Sequence, residues 1–378
     1  MYKNEHYFNI FGIKIPRIFH ILKIIVKNIF YLDRKLLNIE KIIKSNSDTT
    51  YKIASYIINK YRTCIIIPVF NSEKYLDKCI YSLLSQTYSN FYIIFVDDCS
   101  TDSSKSIIER WEKLDSRIRI ISQSRNSGAG SARNVGLKQV DSKTDFVIFL
   151  DSDDWFDMSF LEKMVTRAVS ENADITVCQS RRRDVNTGKI IASNVSIDTN
   201  TINLNNFHPV LKKDYIFSSF VGWSWDKLYN WKFIHESYLE FQKIRSQNDA
   251  YFVFISLIIA RKISVVKDEL ITHNTGDSNS IENTRNNHPC DFIKMYLAIT
   301  DFMKKNKIYG TYKKSFINFA VNHTAWQLRT LNDESKKLVI KELKRYFINF
   351  FKYEVSFYYC PNELYFCLEQ LGLKKNNK

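Results

Sequence analysis

Phe146-Val147-Ile148-Phe149-Leu150-Asp151-Ser152-Asp153-Asp154 is an apolar run of strand length that ends in three carboxylates within four residues. Charges at that density face solvent, a cation or a ligand. Side chains alternate along a strand and fan out where it ends, so Asp151 and Asp153 are expected to project into one crevice at the carboxyl edge of a sheet. Hard divalent cations such as Mg²⁺ or Mn²⁺ take oxygen ligands and are often held by one or two carboxylates plus the phosphates of a substrate. A solvated acidic turn after a buried strand reads equally well from this stretch alone, and the flanking sequence decides between the two.

Upstream, Thr63-Cys64-Ile65-Ile66-Ile67-Pro68-Val69-Phe70-Asn71 has no polar alternation before Asn71, the pattern of a buried parallel strand. Tyr75, Ile80, Leu83 and Leu84 then recur at helical spacing, and Phe91-Tyr92-Ile93-Ile94-Phe95-Val96 runs into the acidic loop Asp97-Asp98-Cys99-Ser100-Thr101-Asp102. Asp102 is read as the N-cap of the helix carrying Ile107, Ile108 and Trp111. A strand at Ile118-Arg119-Ile120-Ile121, a polar turn at Asn126-Ser127-Gly128 and a short helix from Ala129 to Val140 lead back to Phe146. Strands alternating with helices of this length predict an α/β fold with a doubly wound, mostly parallel sheet, whose ligands sit at the carboxyl ends of the strands. Both acidic clusters fall on that edge.

On these residues the chain resembles the family 2 glycosyltransferases of GT-A fold. Ile65 to Asn71 is similar to their opening strand, and Val96 to Asp102 to their Val-Asp-Asp-Gly-Ser-Thr-Asp loop. Asn126 to Gly136 resembles their Asn-x-Gly-x-x-x-Ala-Arg-Asn-x-Gly segment, and Asp151-Ser152-Asp153-Asp154 their Asp-x-Asp motif. Four motifs in this order across about ninety residues are far more specific than any one of them. Trp225-Asp226-Lys227-Leu228-Tyr229 resembles the Trp-Asn-Lys-Leu-Tyr stretch of the bacterial polysaccharide-building members, and Asn248-Asp249-Ala250-Tyr251-Phe252 stands where they carry Glu-Asp-x-x-Phe. The resemblance implies a nucleotide-diphospho-sugar transferase fold over residues 63–285, with helical additions at 1–62 and 286–378. It also implies an inverting transferase that moves sugar from a nucleotide sugar, UDP-linked, to a glycan or glycolipid acceptor of a bacterial capsule or lipooligosaccharide.

The chemistry explains the residue types. Loss of a nucleoside diphosphate requires its charge to be neutralised, which a divalent metal on Asp153, with Asp151 bridging ribose and metal, does as a Lewis acid. The acceptor hydroxyl needs a base, and Asp249, opening an apolar helix, is the candidate on the far face of the sugar. By the resemblance, donor contacts fall to Pro68, Phe70, Asn71, Asp97, Asp98, Arg133, Asp151 and Ser152, with Asp97 or Asp98 reading the uracil. His273 lies where some relatives place a third metal ligand or a phosphate contact, although a lone histidine is commonly a structural hydrogen bonder. Trp223, Trp225 and Asp226 are the acceptor candidates, because aromatic faces stack on sugar rings; core packing competes for both indoles. Two residues depart from the family pattern. Cys99 replaces a glycine, and Asn248 replaces a glutamate, removing a like charge beside Asp249. The second departure motivates an alternative, a non-catalytic nucleotide-sugar-binding scaffold.

The Gly128-Ala129-Gly130-Ser131-Ala132-Arg133 segment begins like a dinucleotide fingerprint but has Arg133 at the third glycine. A nucleotidyltransferase would carry a Gly-rich, basic loop after its first strand, and Asn71-Ser72-Glu73 offers none. Charge is uneven over the 378 residues: twelve Lys and Arg face four Asp and Glu in residues 1–62, sixteen face eight in 291–378, and 27 face 28 between. A near-neutral catalytic part argues against nucleic acid as substrate. The basic flanks point to an anionic membrane surface instead. In Pro16 to Lys44, Ile18, Ile21, Leu22, Ile25, Ile29 and Leu32 recur at helical spacing among Arg17, Lys23, Lys27 and Arg34, as in a helix lying on the inner face of the cytoplasmic membrane or packed on the enzyme. No uncharged run approaches transmembrane length. The Phe-, Tyr- and Lys-rich carboxyl-terminal part reads as helical hairpins that pack on the core, touch lipid or form a homodimer. Seven cysteines without Cys-x-x-Cys spacing suggest reduced thiols in the cytoplasm.

Overall fold

A computed structural model describes residues 7–10, 13–16, 58–277 and 285–373. Tyr7–Ile10 and Ile13–Pro16 pair as an antiparallel hairpin, which the helical reading of residues 1–62 did not anticipate. The amphipathic segment after Pro16 lies outside the described residues.

The core is a ten-stranded sheet. Its first half follows the predicted alternation: β1 (Thr63–Val69), α1 (Glu73–Leu84), β2 (Phe91–Asp97), α2 (Ser104–Leu114), β3 (Ile118–Ser122), α3 (Ala129–Leu137) and β4 (Phe146–Phe149). Then come β5 (Trp155–Phe156), α4 (Phe160–Glu171), β6 (Ile175–Asp184), β7 (Ile190–Ala192), β8 (Asn206–Phe207), β9 (Lys227–Asn230), α5 (Trp231–Ser237), α6 (Ala250–Ile259) and β10 (Ile263–Thr275). The order is β8-β10-β6-β9-β4-β1-β2-β3, with β5 on β10 and β7 on β6. β1, β2, β3, β4, β6 and β10 run parallel, and β5, β7, β8 and β9 run antiparallel to their neighbours.

Continuous Val, Ile and Phe runs in β1, β2 and β4 are buried on both faces, as a helix-covered parallel sheet requires. One face packs α1 and α4 over Ile65, Ile67, Phe95 and Ile148; the other packs α3 and α6 over Ile66, Ile94, Val147 and Phe149. Gly136 permits the close seat of α3, since a Cβ there would stand 2.4 Å from Ile66 Cγ2. The carboxyl-terminal helices α7 (Asp291–Lys305), α8 (Tyr309–Thr330), α9 (Asp333–Tyr346) and α10 (Pro361–Gln370) continue the same apolar core. Among the described residues no helix is long and apolar enough to cross a membrane, and the seven cysteines are free thiols.

Candidate active site

The carboxyl ends of β1, β2 and β4 meet where the chain turns polar. Phe70 is 46% exposed there, and Asn71 takes a left-handed backbone (φ 50°) while its Oδ1 accepts from Thr101 N at 2.8 Å. Cys99 also sits at positive φ (68°), a conformation that favours glycine, and carries a side chain in it. Asp102 is one residue outside the expected cap: Oδ1 accepts from Ser104 N (2.9 Å) and Oδ2 from Glu73 N (3.1 Å), tying the starts of α1 and α2 together.

Asp97 is 2% exposed and accepts from Ser100 N at 3.2 Å. Asp98 is spent on its own scaffold: Oδ1 accepts from Gln123 Nε2 (2.7 Å) and Ser127 N (2.8 Å), and Oδ2 from Gly128 N (2.6 Å). Burial raises its pKa against the pull of those two amides. Of the two candidates for reading a base, Asp98 also shapes the 123–128 loop. Pro68 lies inside β1 in register with Val96, and Ser152 is buried with Oγ 2.7 Å from Ser72 Oγ, so both support the edge from behind.

Arg133 is the hub. Only 3% exposed, it donates from Nη1 to Asn248 Oδ1 at 2.7 Å and from Nη2 to Asp151 Oδ1, with its guanidinium 5.3 Å over the Phe241 ring. One side chain thus joins the carboxylate of the post-β4 turn to the loop that carries Asp249. Asn248 is this arginine's partner, a role that reading it only as a missing charge overlooked. The joint depends on Gly130, where a Cβ would fall 2.3 Å from Gln242 O. Asp249 precedes α6 without a side-chain cap bond. Burial, opposed by Arg133 and assisted by Asp151, lifts its carboxyl from 3.8 to about 6.

Asp154 is fully buried, accepting from Asn274 N (2.8 Å) and pairing with His273 Nδ1 (2.8 Å). Burial alone would lower the His273 pKa; Asp154, Asp153 and Asp151 outweigh it and raise it. Its ring lies 5.1 Å from Trp225 and 5.3 Å from Trp223. Asp153 is raised too, by burial and then by Asp154 and Asp151. With Asp151 paired to Arg133 and Asp154 to His273, Asp153 is, among the described residues, the carboxylate of the three that lacks an ion-pair partner, and Asp153 and Asp151 plus a donor's phosphates would supply oxygen ligands to a hard cation. Among the described residues no three His, Cys, Asp or Glu side chains gather as a metal site; His273, expected as a third metal ligand or phosphate contact, pairs through Nδ1 with Asp154 and keeps Nε2 for another partner.

The acceptor candidates divide. Trp225 is 1% exposed, stacked 4.7 Å from Trp223, and Asp226 is fully buried against Lys227 Nζ at 2.5 Å. Neither is within reach of a sugar, which corrects both assignments; Trp223 keeps a partly open face.

A parallel sheet that delivers an aspartate pair on the turn after a central strand, opposite a helix-opening carboxylate, is the layout of GT-A nucleotide-sugar transferases. The fold is similar to that of Staphylococcus aureus TarS residues 1–349 in complex with UDP-GlcNAc, with a TM-score of 0.59 and 20% identity over 77% of this chain and 81% of that one. Residues 64–229 match the family described as glycosyl transferase family 2. EpsH of Bacillus subtilis (strain 168), assigned as a glycosyltransferase, is 29% identical over 69% of this chain and 74% of its own. The cholesterol galactosyltransferase of Borreliella burgdorferi is 27% identical over 78% and 83%. Five further relatives, 34–42% identical, are matched over only 16–40% of their own length.

Proposed function

We propose that this glycosyltransferase moves a sugar from a UDP-linked donor to a hydroxyl of a growing bacterial surface glycan, with inversion at the anomeric carbon. The observation that carries the reading is Asp249: a carboxylate left uncapped at a helix start, with a proton affinity of about 6, joined through Arg133 to the Asp151 turn. A general base works best when its pKa lies near the working pH. In this reading Phe70 and Asn71 face the nucleotide, Asp97 accepts from the base, and Arg133 holds Asp151 and the Asp249 loop at a fixed separation. Asp249 takes the acceptor's proton as its oxygen attacks, and Trp223 offers a face to the acceptor. A divalent cation held by Asp153 and Asp151 would neutralise the leaving diphosphate.

The UDP-GlcNAc bound by TarS supports the donor class. The basic flanks support work at the inner face of the cytoplasmic membrane. The scaffold alternative loses its motive, because Asn248 is built into the site as the partner of Arg133. A screen of UDP-sugars for hydrolysis tests the reading: turnover of at least one is expected, with a fall of about 10²-fold or more on chelation or in Asp153→Ala. Full activity in EDTA would remove the metal, and failure of every UDP-sugar to bind would remove the donor class.

A further inference from the structure

Two cations outside the residues assigned so far converge on one indole. Lys78, exposed on α1, holds Nζ 3.2 Å from the Trp155 ring centroid, and Arg183 Cζ, on β6, lies 5.6 Å from the same centroid. Trp155 follows directly on Asp153-Asp154 and pairs through β5 with Thr272. Arg183 donates from Nε to Gly188 O (3.1 Å) and from Nη1 to Asn274 Oδ1 (3.3 Å), which fixes its guanidinium beside the side chain that bonds Asp153 O. Further along β6, Arg182 lies 5.1 Å over Trp223.

The carboxylates nearby are largely engaged with other groups. Asp157 holds Arg181, Asp154 pairs with His273 and Asp277 accepts from Tyr75, while Asp184 accepts from Thr187 N and also feels the charge of Arg183. Among the described residues neither Lys78 nor Arg183 makes an ion pair. Keeping like charges together costs Coulomb energy, and burial with the charge of Arg183 lowers the proton affinity of Lys78. Such a pair, one a rigid guanidinium and the other a mobile ammonium, is complementary to an oxyanion.

We propose that Lys78 and Arg183 form a subsite for a phosphate group carried by the acceptor, seated beside Trp155 at the lip of the transfer site. The inference rests on the transferase reading above, in which the donor's phosphates lie at Asp151 and Asp153. It narrows the acceptor to a phosphorylated one, with the phosphate either esterified within the glycan or part of a lipid headgroup.

The test uses the full chain saturated with UDP and Mg²⁺, into which inorganic phosphate is titrated by calorimetry. Phosphate should bind the wild type, and Lys78→Gln/Arg183→Gln should weaken it about tenfold or more while UDP affinity stays within about twofold. Arg183→Lys, which keeps the charge and loses the planar guanidinium held by Gly188 and Asn274, should fall between the wild type and the double variant. In a second arm, retention on phosphatidic acid vesicles that the double variant loses would assign the headgroup, and phosphate binding without retention would assign the glycan. Unchanged phosphate affinity in the double variant would overturn the proposal, as would mutual displacement of phosphate and UDP, which would give these cations to the donor. A wild type that binds phosphate but no UDP would contradict the donor reading instead, with the subsite still decided by titration without nucleotide.

Discussion

Replacing Asp249 by Asn should make the protein more stable while removing its proton acceptor. Burial, opposed by Arg133, lifts the carboxyl from 3.8 to about 6, so the folded state binds this proton more tightly than the unfolded chain does. Below about pH 4 the group is protonated in both states and costs nothing. As pH rises toward about 6 the unfolded chain ionises first, and above that the whole penalty is present. At about 1.4 kcal/mol per pH unit, the penalty is on the order of 3 kcal/mol. Asn keeps the shape and carries no charge to desolvate, so Asp249→Asn should recover up to that amount at pH 7.5 and almost none near pH 4. In a chain of this length that is a rise of several degrees in Tm. Thermal unfolding of both proteins across the pH range is the assay. A variant that melts below the wild type at pH 7.5, or gains equally at every pH, would refute the reasoning.

Three further substitutions follow from the geometry. Gly130→Ala should cost about 1–3 kcal/mol and disturb turnover together with stability, because its Cβ would meet the Gln242 carbonyl that seats α3 against the Asp249 loop; denaturant titration reads it. Cys99→Gly should stabilise the fold by about 1 kcal/mol, since it removes a Cβ from a backbone at φ 68°, and a lower denaturation midpoint would count against that. Asn248→Glu should pair with Arg133, weaken that cation's hold on Asp249 and shift the acidic limb of the pH–rate profile above about 6; an unmoved limb would separate the two side chains.

The half of the sheet built on β1, β2 and β4 was legible because these strands are unbroken apolar runs, each leading to Asn or Asp at the same edge. The other half was obscured by charge. Lys227 and Asp226 neutralise each other inside the core, so an antiparallel strand inserted between β4 and β6 looks polar in sequence. The apolar run Ile263-Ser264-Val265-Val266 reads as a short strand, but β10 extends to Thr275 past Lys267-Asp268-Glu269, where register shifts leave Lys267 and Asp268 out of the ladder. That extension brings His273 and Asn274 to Asp154, a contact across more than a hundred residues that no local pattern carries. The alternatives left open at Asp98 and Trp225 have a related cause: residue type announces a capacity to bind, and only packing shows how much of it is engaged.

Turnover set against nucleotide affinity in Asp249→Asn decides whether Asp249 is the base. UDP and UDP-sugar affinity should stay within about twofold of the wild type while transfer falls by about 10²–10⁴-fold. Transfer at the wild-type rate, or affinity lost in step with turnover, would contradict it.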